Sequence, residues 1–457
     1  MRQNLDLDRA EFHSFDAVHA IAKIVRAWCD GSVTKYRNDP RRPHDPCAAR
    51  VNGARLWSRL MTMAQIGATA QGGCNRQALT DGDRAGRALV GRWAEAAGCQ
   101  VRFDPIGNMF MRRAGREDAL PVVLTGSHLD TQPTGGKFDG VYGVLAGLEV
   151  LETLHDAAAG TRHPIEVAVW CNEEGCRFPM AMMGSAVWSG RLALDSAYAL
   201  ADRTGVTVLQ ELQRLGNPTD APLARQPVKA ALEAHIEQGP VLEQRAKTIG
   251  VVTGVQHMSR HEVIVEGQEA HAGPTPMDLR RDPIRVLARV LPGLYAAAAA
   301  RGPEARLTVG LIETSPGSPN TVPGRLRFTI DLRHPGAPQY ESLRAEVQHS
   351  VRAALQQEAL RGEVRCVWEA PGVTFDAACV AVVREATVGL GYPALEMVSG
   401  AGHDSCNLAA VVPTAMIFVP CAGGLSHNEA ESAVPSDLEA GANVLLHAML
   451  MLADPVA

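Results

Sequence analysis

At 457 residues the chain exceeds what one ordinary core of about 100–200 residues fills, so two or three domains are expected. Hydrophobic residues at 46% and charged residues at 21% exclude a disordered or fibrous chain, and a net charge of −6 implies no basic face for nucleic acid. The expected partner is a small molecule.

Residues 1–48 differ from the rest. Phe15, Val18, Ile21, Val25 and Trp28 recur at helical spacing, and a proline-rich stretch follows through Pro40, Pro43 and Pro46, so this segment reads as an extension. From Val51 a helical pattern runs through Leu56, Leu60 and Met63. Leu79–Asp83 then caps a second helix through Leu89, Val90 and Trp93. Apolar runs at Leu120–Leu124 and Ile165–Trp170 flank a helix at Val141–Leu154, which predicts α/β architecture: a mostly parallel sheet with helices on both faces. The glycines of Gly140–Gly147 are read as close helix–sheet packing.

Between 248 and 365 the pattern changes. Strands are predicted at His261–Glu266, Leu307–Ile312, Leu326–Leu332 and near Val364–Trp368, with helices at Pro283–Ala300 and 340–357. This is a compact α+β module inserted into the larger domain, whose sheet resumes at Thr414–Val419. The predicted organisation is an extension (1–48), a catalytic domain in two segments (49–247 and 366–457) and the insert (248–365).

Ten cysteines with no C-x2-C pair and no secretory leader read as reduced thiols of a cytoplasmic protein. No apolar run approaches about 18 residues, so no membrane span is expected. Fifteen histidines, several beside Asp, Glu and Gly, point toward chemistry.

Four segments follow apolar strands: Gly126-Ser127-His128-Leu129-Asp130-Thr131, Asn172-Glu173-Glu174-Gly175, His235-Ile236-Glu237-Gln238-Gly239-Pro240 and Ser426-His427-Asn428-Glu429. Strand carboxyl ends are where an open α/β sheet gathers its ligands. His128 and Asp139 can reach one cation, and the spacing of His128 and Asp130 lets the Asp130 carboxylate bond the imidazole and fix its tautomer. Glu173 and Glu174 repel each other at a buried strand end; a metal site uses one as ligand and leaves the other free as a base. Singly, each segment is better explained without chemistry, the histidines as structural or loop residues and Glu173-Glu174 as a solvated loop. Together, His with carboxylate suits Zn, Mn, Co or Ni better than Ca or an iron–sulfur cluster. Cys406 in His403-Asp404-Ser405-Cys406-Asn407 reads as a buried structural thiol rather than a nucleophile.

With Phe138-Asp139-Gly140, these segments resemble the M20-type metallopeptidase superfamily over about residues 50–455. They look most like its amidase branch: N-carbamoyl-L-amino acid hydrolases, β-ureidopropionases and allantoate amidohydrolases. The resemblance implies two divalent ions, zinc in first place. His128, Glu174, His235 and His427 would be ligands, Asp139 the bridge and Glu173 the general base. In the insert, Gln268–Pro276 matches a lid motif in which His271 polarises the scissile carbonyl. Asn320 and Arg333 match positions that hold a substrate carboxylate, with Gln238 and the backbone at Gly400 and Gly402 alongside.

The implied activity is cleavage of an N-carbamoyl amino acid to amino acid, carbon dioxide and ammonia. Allantoate hydrolysis and N-acyl amino acid or dipeptide hydrolysis are the related alternatives, and an inert metal-binding scaffold is the alternative of another class. The resemblance also implies a homodimer formed through the insert. It leaves open whether His271 serves its own subunit's site or its neighbour's.

Overall fold

The computed structural model describes residues 49–454, residue 224 excepted. The helix expected at Phe15–Trp28 lies outside the described residues. The helix Gly53–Met63 is capped by the Asn52 side chain and buries Leu56, Leu60 and Met63 along one face. Thr80 caps the helix Asp81–Ala96 by accepting from the Asp83 amide. Among the described residues no helix is long and apolar enough to cross a membrane.

The first six strands belong to one nine-stranded sheet: β1 (Gln100–Phe103), β2 (Met109–Arg113), β3 (Val122–His128), β4 (Ile165–Trp170), β5 (Val228–Ile236) and β6 (Ile249–Val255). The next seven lie outside it: β7 (His257–Glu266), β8 (Ala270–His271), β9 (Arg306–Thr308), β10 (Ile312–Ser315), β11 (Thr321–Val322), β12 (Arg325–His334) and β13 (Arg361–Ala370). Three more return to the large sheet: β14 (Val373–Thr374), β15 (Ala394–Ser399) and β16 (Thr414–Val419).

In space the large sheet runs β1-β2-β4-β3-β5-β16-β6-β14, with β15 also on β6. Its centre, β4-β3-β5-β16, is parallel throughout. Antiparallel pairs flank that centre. Every residue of β3, β4 and β16 is buried, as uninterrupted apolar runs demand of strands covered on both faces. The long helices Val141–Asp156 and Pro435–Ala453 cover one face. Trp188 and Leu408, from two short helices, pack on Leu124, Ala168 and Trp170 on the other. The close approach predicted for the glycines is real, since a Cβ on Gly143 would meet the Ala234 carbonyl oxygen at 2.3 Å.

The smaller sheet is antiparallel, ordered β10-β12-β7-β13 with β9 also on β12. Leu326, Phe328, Ile330 and Leu332 alternate inward on β12 and meet Val286, Leu294, Leu343 and Val347 from the helices Ile284–Ala299 and Ala337–Gln357. Burying each such side chain stabilises by about 1.5–3 kcal/mol. On the other face Glu262 sits between Arg327 and Arg365. The single strand expected at Leu307–Ile312 is instead two. Thr308 pairs with Asp331 and Ile312 with Phe328, so three residues on one strand face two on the other, and this bulge splits it.

Candidate metal centre

The four candidate segments emerge from β3, β4, β5 and β16, the four adjacent parallel strands, so all leave the sheet at the same edge. Asp139 reaches that edge from the turn before the helix Val141–Asp156. The turns are tight. Asn172, Gln238 and His427 take left-handed backbone at φ of 55°, 58° and 54°, strain of the kind stored at functional sites. Gly140, at φ 67°, has no room for a side chain, because a Cβ there would lie 2.3 Å from the His128 ring.

Two groups of donors share Asp139: His128, Asp139 and His235 on one side, and Asp139, Glu174 and His427 on the other. Asp139 Oδ1 is 3.2 Å from His235 Nε2, and Oδ2 is 3.2 Å from His427 Nε2. His427 Nε2 is 3.4 Å from Glu174 Oε2. Glu173 belongs to neither group and stands beside them, Oε2 3.6 Å from His128 Nε2.

The donors fit cations. His128 and His235 turn Nδ1 toward the Asp130 and Ile236 carbonyls, each at 2.9 Å. In the neutral rings these partners assign the hydrogen to Nδ1 and leave Nε2 as a lone pair facing the cluster. An Nε2 lone pair and a carboxylate oxygen at 3.2 Å repel unless a cation or proton lies between them. In the metal-free chain the proton takes that place: burial opposes charge on His235, yet Asp139 pushes it up to about 9. The Asp139 bond likewise pushes His427 up to about 9. Burial, with His235 nearby, brings His128 down to about 4. Burial and then the charge of Asp404 raise Glu173 well above the usual carboxylate range.

The role expected for the Asp130 carboxylate is corrected. His128 is oriented by the Asp130 backbone carbonyl, while the Asp130 carboxylate accepts from the Glu173 and Glu174 amides at 3.3 and 3.2 Å. The reason is local: the residue two positions on turns its carbonyl toward the ring, and its side chain then caps the adjacent turn. Gln238, expected toward substrate, donates Nε2 to Asp139 Oδ2 at 3.0 Å.

Several supporting residues carry no motif signal. Gln132 holds both Glu174 oxygens, through its amide at 3.2 Å and its side chain at 2.7 Å. Glu431 accepts from the Phe138 and Asp139 amides. Beneath His235, Glu233 accepts from Ser127 and Ser405, and the His403 ring packs edge-on at 4.6 Å. Glu233, His235 and His403 form a third donor group, but Ser399 engages His403 Nε2 and the Glu233 oxygens are taken, so this group supports His235. Burial pushes the Cys406 thiol up to about 12, consistent with a structural role.

The insert's candidates bond to other partners. The β8–β11 ribbon pairs His271 with Thr321, next to Asn320, and both His271 and Asn320 are exposed. His271 Nδ1 accepts the Gly273 amide at 3.1 Å, which assigns the ring hydrogen to Nε2. Asn320 Oδ1 accepts from Ser318 Oγ at 3.0 Å. Arg333 donates Nε to Asp331 and Nη1 to the Gly400 carbonyl at 2.9 Å, bringing those two candidates together. Gly402 lies against Met182 and Met258.

A sequence model of the peptidase family M20/M25/M40 matches residues 124–451. An N-carbamoyl-L-amino-acid amidohydrolase of Rhizobium meliloti is 46% identical over 408 residues, 89% of this chain and 98% of its own. An allantoate amidohydrolase of Bacillus subtilis is 33% identical over 393 residues, 86% of this chain and 95% of its own. The crystal structure of a hydantoinase/carbamoylase-family amidase from Burkholderia multivorans superposes with a TM-score of 0.86 at 50% identity, covering 90% of this chain and all of that one. With the cluster of His and carboxylate donors and the separate antiparallel sheet, these matches establish that the chain is a hydrolase of peptidase family M20/M25/M40, in its amidase branch.

Proposed function

We propose that the protein is a dinuclear-metal-dependent amidohydrolase that cleaves the carbamoyl C–N bond of N-carbamoyl-L-amino acids, giving amino acid, carbon dioxide and ammonia. The observation that carries this reading is the position of Asp139 between two donor groups, with a buried carboxyl, Glu173, beside them and in neither. His128, Asp139 and His235 would hold one ion, and Asp139, Glu174 and His427 the other. Zinc is the first choice for a His and carboxylate set, with manganese, cobalt or nickel as alternatives. When bound, such a pair lowers the pKa of a shared water and polarises the carbonyl.

Glu173 takes the proton of the attacking water and returns it to the leaving nitrogen. Its carboxyl stands beside both donor groups and belongs to neither, as a proton carrier must. His271, with its hydrogen on Nε2, donates to the developing oxyanion. Arg333 and Asn320 hold the substrate carboxylate, the Arg333 fork presenting two parallel donors. Gln238 and the backbone at Gly400 and Gly402 complete the substrate's surroundings.

The segment 248–365 serves as lid and dimerisation domain of a homodimer, and its closure brings His271 and Asn320 to the metals. The eight described cysteines are free thiols, which supports a cytoplasmic setting. Allantoate hydrolysis is the competing activity, named for relatives of lower identity. A panel of N-carbamoyl amino acids, allantoate, N-acetyl amino acids and dipeptides tests the reading. The carbamoyl compounds are expected to give the highest kcat/KM, and preference for any other class overturns it.

A further inference from the structure

Glu431 is 3% exposed although Asn428 and Ala430 beside it are exposed. Burying a carboxylate is costly unless its lone pairs are filled, and its partners here are the metal-bearing loops. Oε1 accepts from the Phe138 amide at 2.9 Å and the Asp139 amide at 3.1 Å. Oε2 accepts from Ser426 Oγ at 2.8 Å, one residue before His427. The Ser426 hydroxyl also lies 3.3 Å from Asp139 Oδ2. The neighbourhood is built around this side chain: a Cβ on Gly136 would fall 2.0 Å from the Glu431 carboxyl.

His427 needs such an anchor. Its backbone is left-handed at φ 54°, and its side chain is 52% exposed, so packing does little to hold it. His128 and His235, by contrast, are 3% and 1% exposed and tied through Nδ1 to backbone carbonyls.

We propose that Glu431 is a positioning residue that fixes Asp139 and His427 relative to each other and so sets the affinity for the ion held by Asp139, Glu174 and His427. This rests on the dinuclear reading above. Outer partners of metal ligands are typically worth about 10–100-fold in affinity. Glu431→Ala therefore weakens the step at Asp139, Glu174 and His427 by about that factor, and the step at His128 and His235, which shares Asp139 but keeps two buried, tethered histidines, by less.

The experiment is a competition titration of Zn2+ against a chromophoric chelator, using the full chain stripped of metal. It compares wild type, Glu431→Ala, Glu431→Gln, Ser426→Ala and, as reference for the lost site, His427→Ala. Glu431→Ala is expected to lose affinity in the same step as His427→Ala. Glu431→Gln recovers part of it, because its carbonyl oxygen still accepts the two amides. Should Glu431→Ala fail to fold, Ser426→Ala carries the test, with a smaller loss in the same step. Wild type binding fewer than two ions overturns the dinuclear reading and this proposal with it. Wild type binding two, with Glu431→Ala, or in its place Ser426→Ala, titrating like wild type, overturns the proposal alone.

Discussion

The two sheets present their candidate residues in opposite ways. At the strand ends of the large sheet Asp139, Glu173, His128 and His235 are buried; His128 and His235 are tied to carbonyls of their own loops, and Asp139 is held by Gln238 and Glu431 from far along the chain. On the small-sheet side His271 and Asn320 are exposed and satisfied by their own loops. Arg333 alone reaches across, to the Gly400 carbonyl. On the proposed reading the contrast is a division of labour: a preformed cradle pays the cost of gathering charge once, during folding, while the exposed groups of the insert exchange their local partners for a substrate. Substitutions in the cradle should therefore change metal content or kcat, and substitutions in the lid should change substrate handling with metal content intact.

The sharpest break is at the base. Glu173→Gln is expected to lower kcat by about 10^2–10^4-fold while two ions remain bound, checked by steady-state kinetics and elemental analysis of one sample. Loss of the ions would move Glu173 into the ligand set. Next comes the clamp. Arg333→Gln should reduce kcat/KM by about 10–100-fold, mostly through KM, since a bond to a charged group is worth about 1.5–3 kcal/mol, and metal content should not change.

The smallest expected effect concerns pH. In the metal-free chain His235 and His427 titrate near 9, above the ordinary imidazole value of 6.5. Each imidazolium paired with Asp139 thus contributes stability that is fully present below about 6.5 and is lost as pH rises through about 9. Metal binding must displace those protons, so it runs the other way. Apparent affinity should climb between pH 6.5 and 9 and level off above, with proton release visible as a buffer-dependent heat. Affinity that falls over this range would show that the histidines are not the donors.

That the candidate donors gather at one place was legible in the sequence because they sit at strand ends, and buried parallel strands announce themselves as apolar runs. Ile165–Trp170 and Thr414–Val419 appear with the predicted bounds, and the residues after them reach one edge. What was not legible depends on contacts between distant segments. Glu431 lies 292 residues from the Asp139 amide that it holds, and no spacing rule links them. The Asp130 reading erred for a finer reason: an i, i+2 spacing places the residue near the ring but does not say which of its oxygens turns inward. The β8–β11 ribbon that pairs His271 with Thr321 has two residues per strand, too short for any periodicity to register.

The most direct measurement is ammonia released from an N-carbamoyl-L-amino acid as Zn2+ is titrated into metal-free protein. The account predicts no release without metal, growth to a plateau at two ions per chain, and amino acid formed in equal amount. Full release from the metal-free chain, or none from the loaded chain with any carbamoyl amino acid, would contradict it.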